Sequence, residues 1–139
     1  MRYAHSGLIE VRPAGKKGRG VFARKKIRRG TVIERVPVVV MRVQEIFSNA
    51  PRTKLADYVF SWGRGKLAFA CGYGALYNHS YQPNAEYYGK GTQSQVFVAL
   101  RDIEAGEEIT VNYNGRPTGR AKVGFCGELG WPQYRQPSI

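Results

Sequence analysis

Glycine sets the grain of this sequence. Seventeen glycines in 139 residues cut the chain into short apolar runs rich in β-branched side chains. Inside a helix or strand glycine is unfavourable, so each one points to a turn, a bulge or a close backbone approach. No heptad, repeat or low-complexity tract interrupts the pattern. The expected fold is therefore mainly β, with many short strands and one or two small helices.

In chain order, strands are expected at Gly7 to Arg12 and from Val21, separated by a glycine-rich loop at residues 13–20. Thr31 to Met41 holds Pro37 and reads as two short strands or one bent edge strand. Val43 to Ala50 suits a short helix ended by Pro51, and Thr53 to Phe60 fits helix or strand equally. Leu67 to Ala70 is a strand, residues 86–100 a hairpin, and Ile109 to Tyr113 a further strand after a turn at Ala105-Gly106. The length suits one domain with a single core.

Charge narrows the partners. Lys and Arg number 22 against 10 acids, a net charge of +12. Lys16, Lys17, Arg19, Arg24, Lys25, Lys26, Arg28 and Arg29 crowd the first quarter, so a nucleic acid is a natural partner for the N-terminal region. No apolar run is long enough to span a bilayer, and the first residues lack the apolar centre of a signal peptide. The chain reads as intracellular, in cytoplasm or nucleus, with Cys71 and Cys126 as reduced thiols and no metal site.

Residues 71–84, Cys-Gly-Tyr-Gly-Ala-Leu-Tyr-Asn-His-Ser-Tyr-Gln-Pro-Asn, do not read as a core strand. Gly72 and Gly74 allow close backbone approach, and Asn78, His79 and Ser80 follow an apolar pair directly. Taken alone, this is a glycine-rich turn capped by Asn and Ser. Gly15-Lys16-Lys17-Gly18-Arg19-Gly20 lacks both the Gly-Lys-Ser/Thr ending and the following helix of a phosphate loop. His79 beside Ser80 is a poor nucleophile–base pair, because adjacent side chains diverge.

Four segments in order carry a more specific signal. Gly18-Arg19-Gly20-Val21-Phe22-Ala23 comes first, and Ile27 to Glu34 second. Tyr77-Asn78-His79-Ser80-Tyr81-Gln82-Pro83-Asn84 is the third, and Ile103-Glu104-Ala105-Gly106-Glu107-Glu108-Ile109-Thr110-Val111-Asn112-Tyr113 the fourth. Together they resemble the SET domain of protein-lysine methyltransferases. Residues 7–115 would form the domain, and residues 116–139 a tail closing the substrate channel. The short chain and Asp57-Tyr58-Val59-Phe60-Ser61 are similar to the family's minimal members, the small viral histone methyltransferase among them.

The resemblance implies a β-fold of short strands with a C-terminal knot-like crossing, and S-adenosyl-L-methionine as cofactor. It implies that Gly18, Arg19, Gly20, Asn78 and His79 bind that cofactor, His79 chiefly through its backbone. Tyr113 would be catalytic, and Tyr58 and Tyr77 would line the lysine channel. The implied substrate is a protein presenting a lysine, such as a histone or another basic protein. The implied chemistry suits these residues. Methyl transfer is an in-line displacement that needs alignment and desolvation more than a base. The attacking amine must be neutral, which burial favours.

Two departures stand out. Tyr81 occupies the position of a common cysteine, and one tail cysteine, Cys126, cannot form the usual three-cysteine zinc cluster. Phe125, Trp131, Tyr134 or a second copy in a homodimer would then close the channel. A basic substrate would have to meet the carboxylates of Glu104, Glu107 and Glu108. A catalytically silent module that binds nucleic acid or nucleoprotein is the rival reading.

Overall fold

A computed structural model describes residues 2–47, 54–121 and 123. Among these, nine strands form two sheets. The first sheet has the order β1-β2-β9-β6, built from Ile9–Pro13, Arg19–Ala23, Glu108–Val111 and Asn78–His79. The second has the order β4-β5-β3-β8-β7, from Val59–Ser61, Lys66–Ala70, Val32–Arg42, Ser94–Ala99 and Ala85–Lys90. Among the described residues helix is confined to α1, Val43–Phe47, and two single-turn 3-10 segments, Gly15–Lys17 and Lys54–Asp57. The mainly β expectation is met. The C-terminal end of the helix expected over Val43 to Ala50, and Pro51, lie outside the described residues.

The expectation for Thr31 to Met41 resolves into one long strand, β3, at the middle of its sheet. Pro37 is tolerated because β3 changes partner there. Residues 32–37 pair with β8, ending at Pro37 opposite Ser94, and residues 38–42 pair with β5, starting at Val38 opposite Ala70. Each half is thus paired on one side only, and a residue without an N–H costs least where the partner changes.

A register shift between Val32 and Glu34 buries Ile33 and Glu34 in succession. From Glu34 onward Val36 and Val38 share one face, the core face. That core also takes Val21, Phe97, Ile103, Ile109 and Val111, with Tyr77 stacked on Phe97 at 4.3 Å between ring centroids. Ile27 and Ile103, both fully buried, exchange backbone hydrogen bonds of 2.8 and 2.7 Å and tie residues 24–30 to the β8–β9 connection.

β6 is only two residues long and runs parallel to β9, Asn78 opposite Thr110 and His79 opposite Val111. This pairing brings the Asn-His-Ser segment beside the closing motif. It establishes adjacency, not the threading of one segment through another.

Asn84 supplies what a longer neighbouring strand would have given. Its side-chain amide donates to the Glu108 carbonyl (2.8 Å) and its oxygen accepts from the Thr110 N–H (2.9 Å). Asn84 is 2% exposed, so Asn84→Ala strands two backbone groups without water to replace the lost partner. The expected cost is about 2 to 4 kcal/mol, read as a lower urea midpoint at unchanged slope.

Candidate cofactor and substrate cleft

The β1–β2 turn, the segment before β4 and the approach to β6 surround a cleft of about 520 Å³. Lys17, Gly18, Arg19, Lys54, Asp57, Tyr58, Tyr77, Asn78 and Tyr113 contribute to its wall. Six of the eight residues named from sequence therefore border one cleft: Gly18, Arg19, Tyr58, Tyr77, Asn78 and Tyr113. Gly20 and His79 stand behind the wall, and they hold its parts together.

Asn78 joins three elements. Its amide donates to the Arg19 carbonyl (2.9 Å) and to Glu108 Oε2 (2.7 Å). Glu108 in turn accepts from Lys17 of the β1–β2 turn. Gly20 permits this convergence by having no side chain. A Cβ there would lie 2.8 Å from Asn78 Nδ2 and would collide with the Glu108 carboxylate. Gly18 serves differently. Its φ of +86° is a left-handed turn conformation, with open space around the missing Cβ.

His79 registers Tyr113. The His79 Nδ1 accepts the backbone N–H of Tyr113 at 3.0 Å, so the neutral ring carries its proton on Nε2. That Nε2 is buried and has no hydrogen-bond partner among the described residues. The ring is held between Tyr81, edge-on at 4.4 Å, and Tyr113 at 5.2 Å. Burial pushes the imidazole pKa below the ordinary histidine value. A depressed histidine pKa means that the unfolded chain takes up a proton the folded chain refuses. Relative to His79→Asn, the wild type should lose stability as pH falls from the ordinary histidine value toward the lowered one. Above that window the difference should be flat, as urea midpoints across pH will show.

The Tyr113 hydroxyl donates to the Tyr77 carbonyl at 2.7 Å. Tyr77 reaches the cleft through its backbone, while its own hydroxyl turns into the core and donates to Glu34 Oε1 at 2.8 Å. Tyr81 donates to the Ala121 carbonyl (3.0 Å) and accepts the Val123 N–H (3.2 Å). Asn112 donates to the carbonyls of Pro117 and Gly119 (3.3 and 2.9 Å). These contacts fix the chain after Tyr113 by hydrogen bonds. Among the described residues no cluster of His, Cys, Asp and Glu could hold a metal ion. Phe125, Cys126, Trp131 and Tyr134 lie outside the described residues, as does most of the tail expected to close the channel.

Sequence reasoning did not assign roles at the cleft to Lys17, Lys54, Asp57 or Glu108. Lys17 and Glu108 lie 91 residues apart and meet only because β9 pairs with β2. The carboxylates expected to greet a basic substrate are already engaged. Glu104 pairs with Lys26 at 3.6 Å, Glu107 with Arg101, and Glu108 with Lys17.

The fold and this convergence define a SET domain. The family's model matches residues 18–114, and the chain belongs to the SET-domain family. It is 35% identical over 107 residues to the histone-lysine N-methyltransferase, H3 lysine-37 specific, of Schizosaccharomyces pombe, covering 76% of this chain and 72% of that protein. It is 34% identical over 95 residues to the histone-lysine N-methyltransferase set9 of Aspergillus terreus, covering 67% of this chain but 15% of that longer protein. A crystal structure of a Plasmodium falciparum protein, described as a candidate histone methyltransferase, superposes with a TM-score of 0.60 at 29% identity. That match covers 76% of this chain and 91% of the other.

Proposed function

We propose that this chain is an S-adenosylmethionine-dependent protein-lysine N-methyltransferase, with histone H3 as the first substrate to test. The observation that carries this reading is the meeting of Gly18 and Arg19, Asn78 and Tyr113 around one cleft, from three segments far apart in sequence. Family membership and relatives named as histone-lysine N-methyltransferases support the chemistry. A histone substrate implies a chromatin setting. Among the described residues no helix is long and apolar enough to cross a membrane.

The residues present suit the cofactor. The cleft volume lies within the range of small-molecule sites. Arg19 and Lys54 bring positive charge to the cleft wall, which suits the carboxylate of an amino-acid moiety. The buried Nε2–H of His79, in the same neighbourhood, has no hydrogen-bond partner among the described residues. Gly18, Arg19 and Asn78 would hold the cofactor directly, with Gly20 and His79 contributing from behind the wall, and the cofactor supplies, when bound, a methyl group on a sulfonium centre.

Tyr58 and Tyr113 would flank the alkyl stem of the incoming lysine, with the backbone of Tyr77 between them. Their rings keep water out and favour the neutral amine, the form with a lone pair to attack. The Tyr113 hydroxyl, having donated to the Tyr77 carbonyl, retains lone pairs that can accept an amine N–H. The amine loses its proton to water on entry, so no protein base is required.

The test is transfer of labelled methyl from S-adenosylmethionine to core histones, other basic proteins and a cell lysate. Label on H3 supports the full reading. Label on another protein keeps the activity and changes the substrate, and absence of both label and cofactor binding overturns it. The basic excess supports a second contact, with nucleic acid. Lys16, Arg24 and Lys25 are exposed, with no carboxylate within ion-pair distance among the described residues. DNA affinity that falls steeply with salt would bear this out. Whether a second copy completes the channel is read from the mass of the protein in solution.

A further inference from the structure

Glu34 is a carboxylate in a place that penalises one. It is 7% exposed, in phase with the core valines Val36 and Val38, and 39 and 43 residues from its two hydrogen-bond donors. Oε1 accepts the hydroxyl of Tyr77 at 2.8 Å, and Oε2 accepts the backbone N–H of Tyr73 at 2.9 Å. Burial pushes its pKa up, and the hydrogen bonds from Tyr73 and Tyr77 act against that push. The surrounding chain is shaped to it. Gly72 adopts φ +61°, and a Cβ there would lie 2.7 Å from Glu34 Oε2 and 2.8 Å from Val36.

The far end of this arrangement is the cleft. Tyr77 is the residue that Glu34 grips, and the carbonyl of Tyr77 is the acceptor for the Tyr113 hydroxyl. Tyr77 is also locked in rotation by its stack on Phe97. With the ring fixed at its hydroxyl and its face, the adjoining peptide has little freedom to turn. A chain of hydrogen bonds therefore runs from Glu34 Oε1 through the Tyr77 side chain and backbone to Tyr113 Oη.

We propose that Glu34 is a positioning residue for the transfer reaction, setting the orientation of the Tyr113 hydroxyl through Tyr77. This rests on the methyltransferase reading above. Misplacing a reacting group by an ångström can slow chemistry by about a hundredfold without weakening binding. The signature is therefore a fall in kcat at constant KM and constant cofactor affinity, not a general loss of function.

Two substitutions probe the chain from different links. Tyr77→Phe keeps the ring and the carbonyl and removes only the hydroxyl. Glu34→Gln keeps the shape but turns one acceptor into a donor, so the bonds from Tyr77 and Tyr73 cannot both form. Each should lower kcat about tenfold to a hundredfold, with KM and the calorimetric cofactor affinity within about twofold. The double variant should be no slower than the slower single one, because both act through the same Glu34–Tyr77 contact. Val38→Ala, a core truncation on the same strand, controls for lost stability and should leave kcat of the folded protein unchanged. Unchanged kcat in Tyr77→Phe, or losses that multiply in the double variant, would overturn the assignment.

A second readout needs no turnover. With tyrosine labelled at Cζ with 13C, the Tyr113 signal is assigned by its disappearance in Tyr113→Phe. That signal should shift in Glu34→Gln. Should the wild type neither transfer methyl to any protein nor bind the cofactor, the functional reading fails while this spectrum still tests the chain of contacts. A Tyr113 signal unmoved by Glu34→Gln would sink the positioning role whatever the activity.

Discussion

Tyr113→Phe should reduce labelled methyl transfer by about 10²-fold or more while leaving cofactor affinity within a few-fold. The substitution removes one oxygen and nothing else that holds the residue. The backbone N–H stays on His79 Nδ1 at 3.0 Å, and the ring keeps its tilted packing on His79. What disappears is the hydroxyl that donates to the Tyr77 carbonyl at 2.7 Å and borders the cleft. Loss of one neutral hydrogen bond costs about 1 kcal/mol of stability. A preorganised polar group at a reacting centre is worth about 10² to 10³ in rate. The two effects therefore separate cleanly. A variant as active as the wild type would remove Tyr113 from the chemistry and leave the cleft a binding site only.

Gly20→Ala should act on the cofactor rather than on the rate, lowering affinity at least tenfold and costing about 1 to 3 kcal/mol of stability. The reason is crowding, since Gly20 does not have a positive φ. Its new methyl would stand 2.8 Å from Asn78 Nδ2, with the Glu108 carboxylate closer still. Neither neighbour can swing away at low cost. Asn78 is tied to the Arg19 carbonyl, and Glu108 is tied to both Asn78 and Lys17. Relief would have to come from moving β6 or β9, the two strands that carry the motif residues. Gly18→Ala is the informative contrast. Space is open around Gly18, so within the folded chain that variant carries the cost of a φ +86°, ψ −98° backbone, about 1 to 3 kcal/mol. Any loss of affinity there comes from the added methyl in the cleft wall and not from crowding of Asn78 and Glu108. Calorimetric titration with S-adenosylmethionine and urea unfolding of both variants check the pair. Equal behaviour of the two would mean that the crowding at Gly20 has no functional weight.

The site was legible where its residues sit in short contiguous motifs. Gly18 to Gly20, Asn78-His79 and Tyr113 could be named because each sits in a short motif that resembles the family's, and Gly18, Arg19, Asn78 and Tyr113 do border one cleft. Hydrogen-bond partners were not legible, because they depend on register. Nothing in sequence distinguishes a Glu108 that meets Lys17 and Asn78 from one that faces a substrate. The carboxylates of Glu104, Glu107 and Glu108 looked like a patch for that reason, and folding pairs each with a cation.

Glu34 did leave a trace. It falls in phase with Val36 and Val38, so a carboxylate stands where the alternation asks for an apolar side chain. Gly72 and Gly74 were correctly expected to allow a close approach, but the object approached could not be named. It is β3 itself, through Glu34 and Val36 at Gly72 and through Val36 at Gly74. Pro37 misled in part. Proline argued for an edge, and β3 lies centrally, yet each half is an edge to the other half's partner.

The amide of Asn84 gives the third motif a second meaning. Five residues separate Asn78 from Asn84, and both grip the same short strand, one through the Glu108 side chain and the other through the backbone at Glu108 and Thr110. Tyr113 follows that strand by two residues. The segment therefore works as a gauge as well as a binding surface. It measures off where the last strand must stop sliding, and so where its tyrosine comes to rest. A one-residue slip of β9 would turn every side chain over and break both grips at once. A sequence that keeps Asn78 and His79 but loses Asn84 would keep the reagents of the site without the ruler that spaces them.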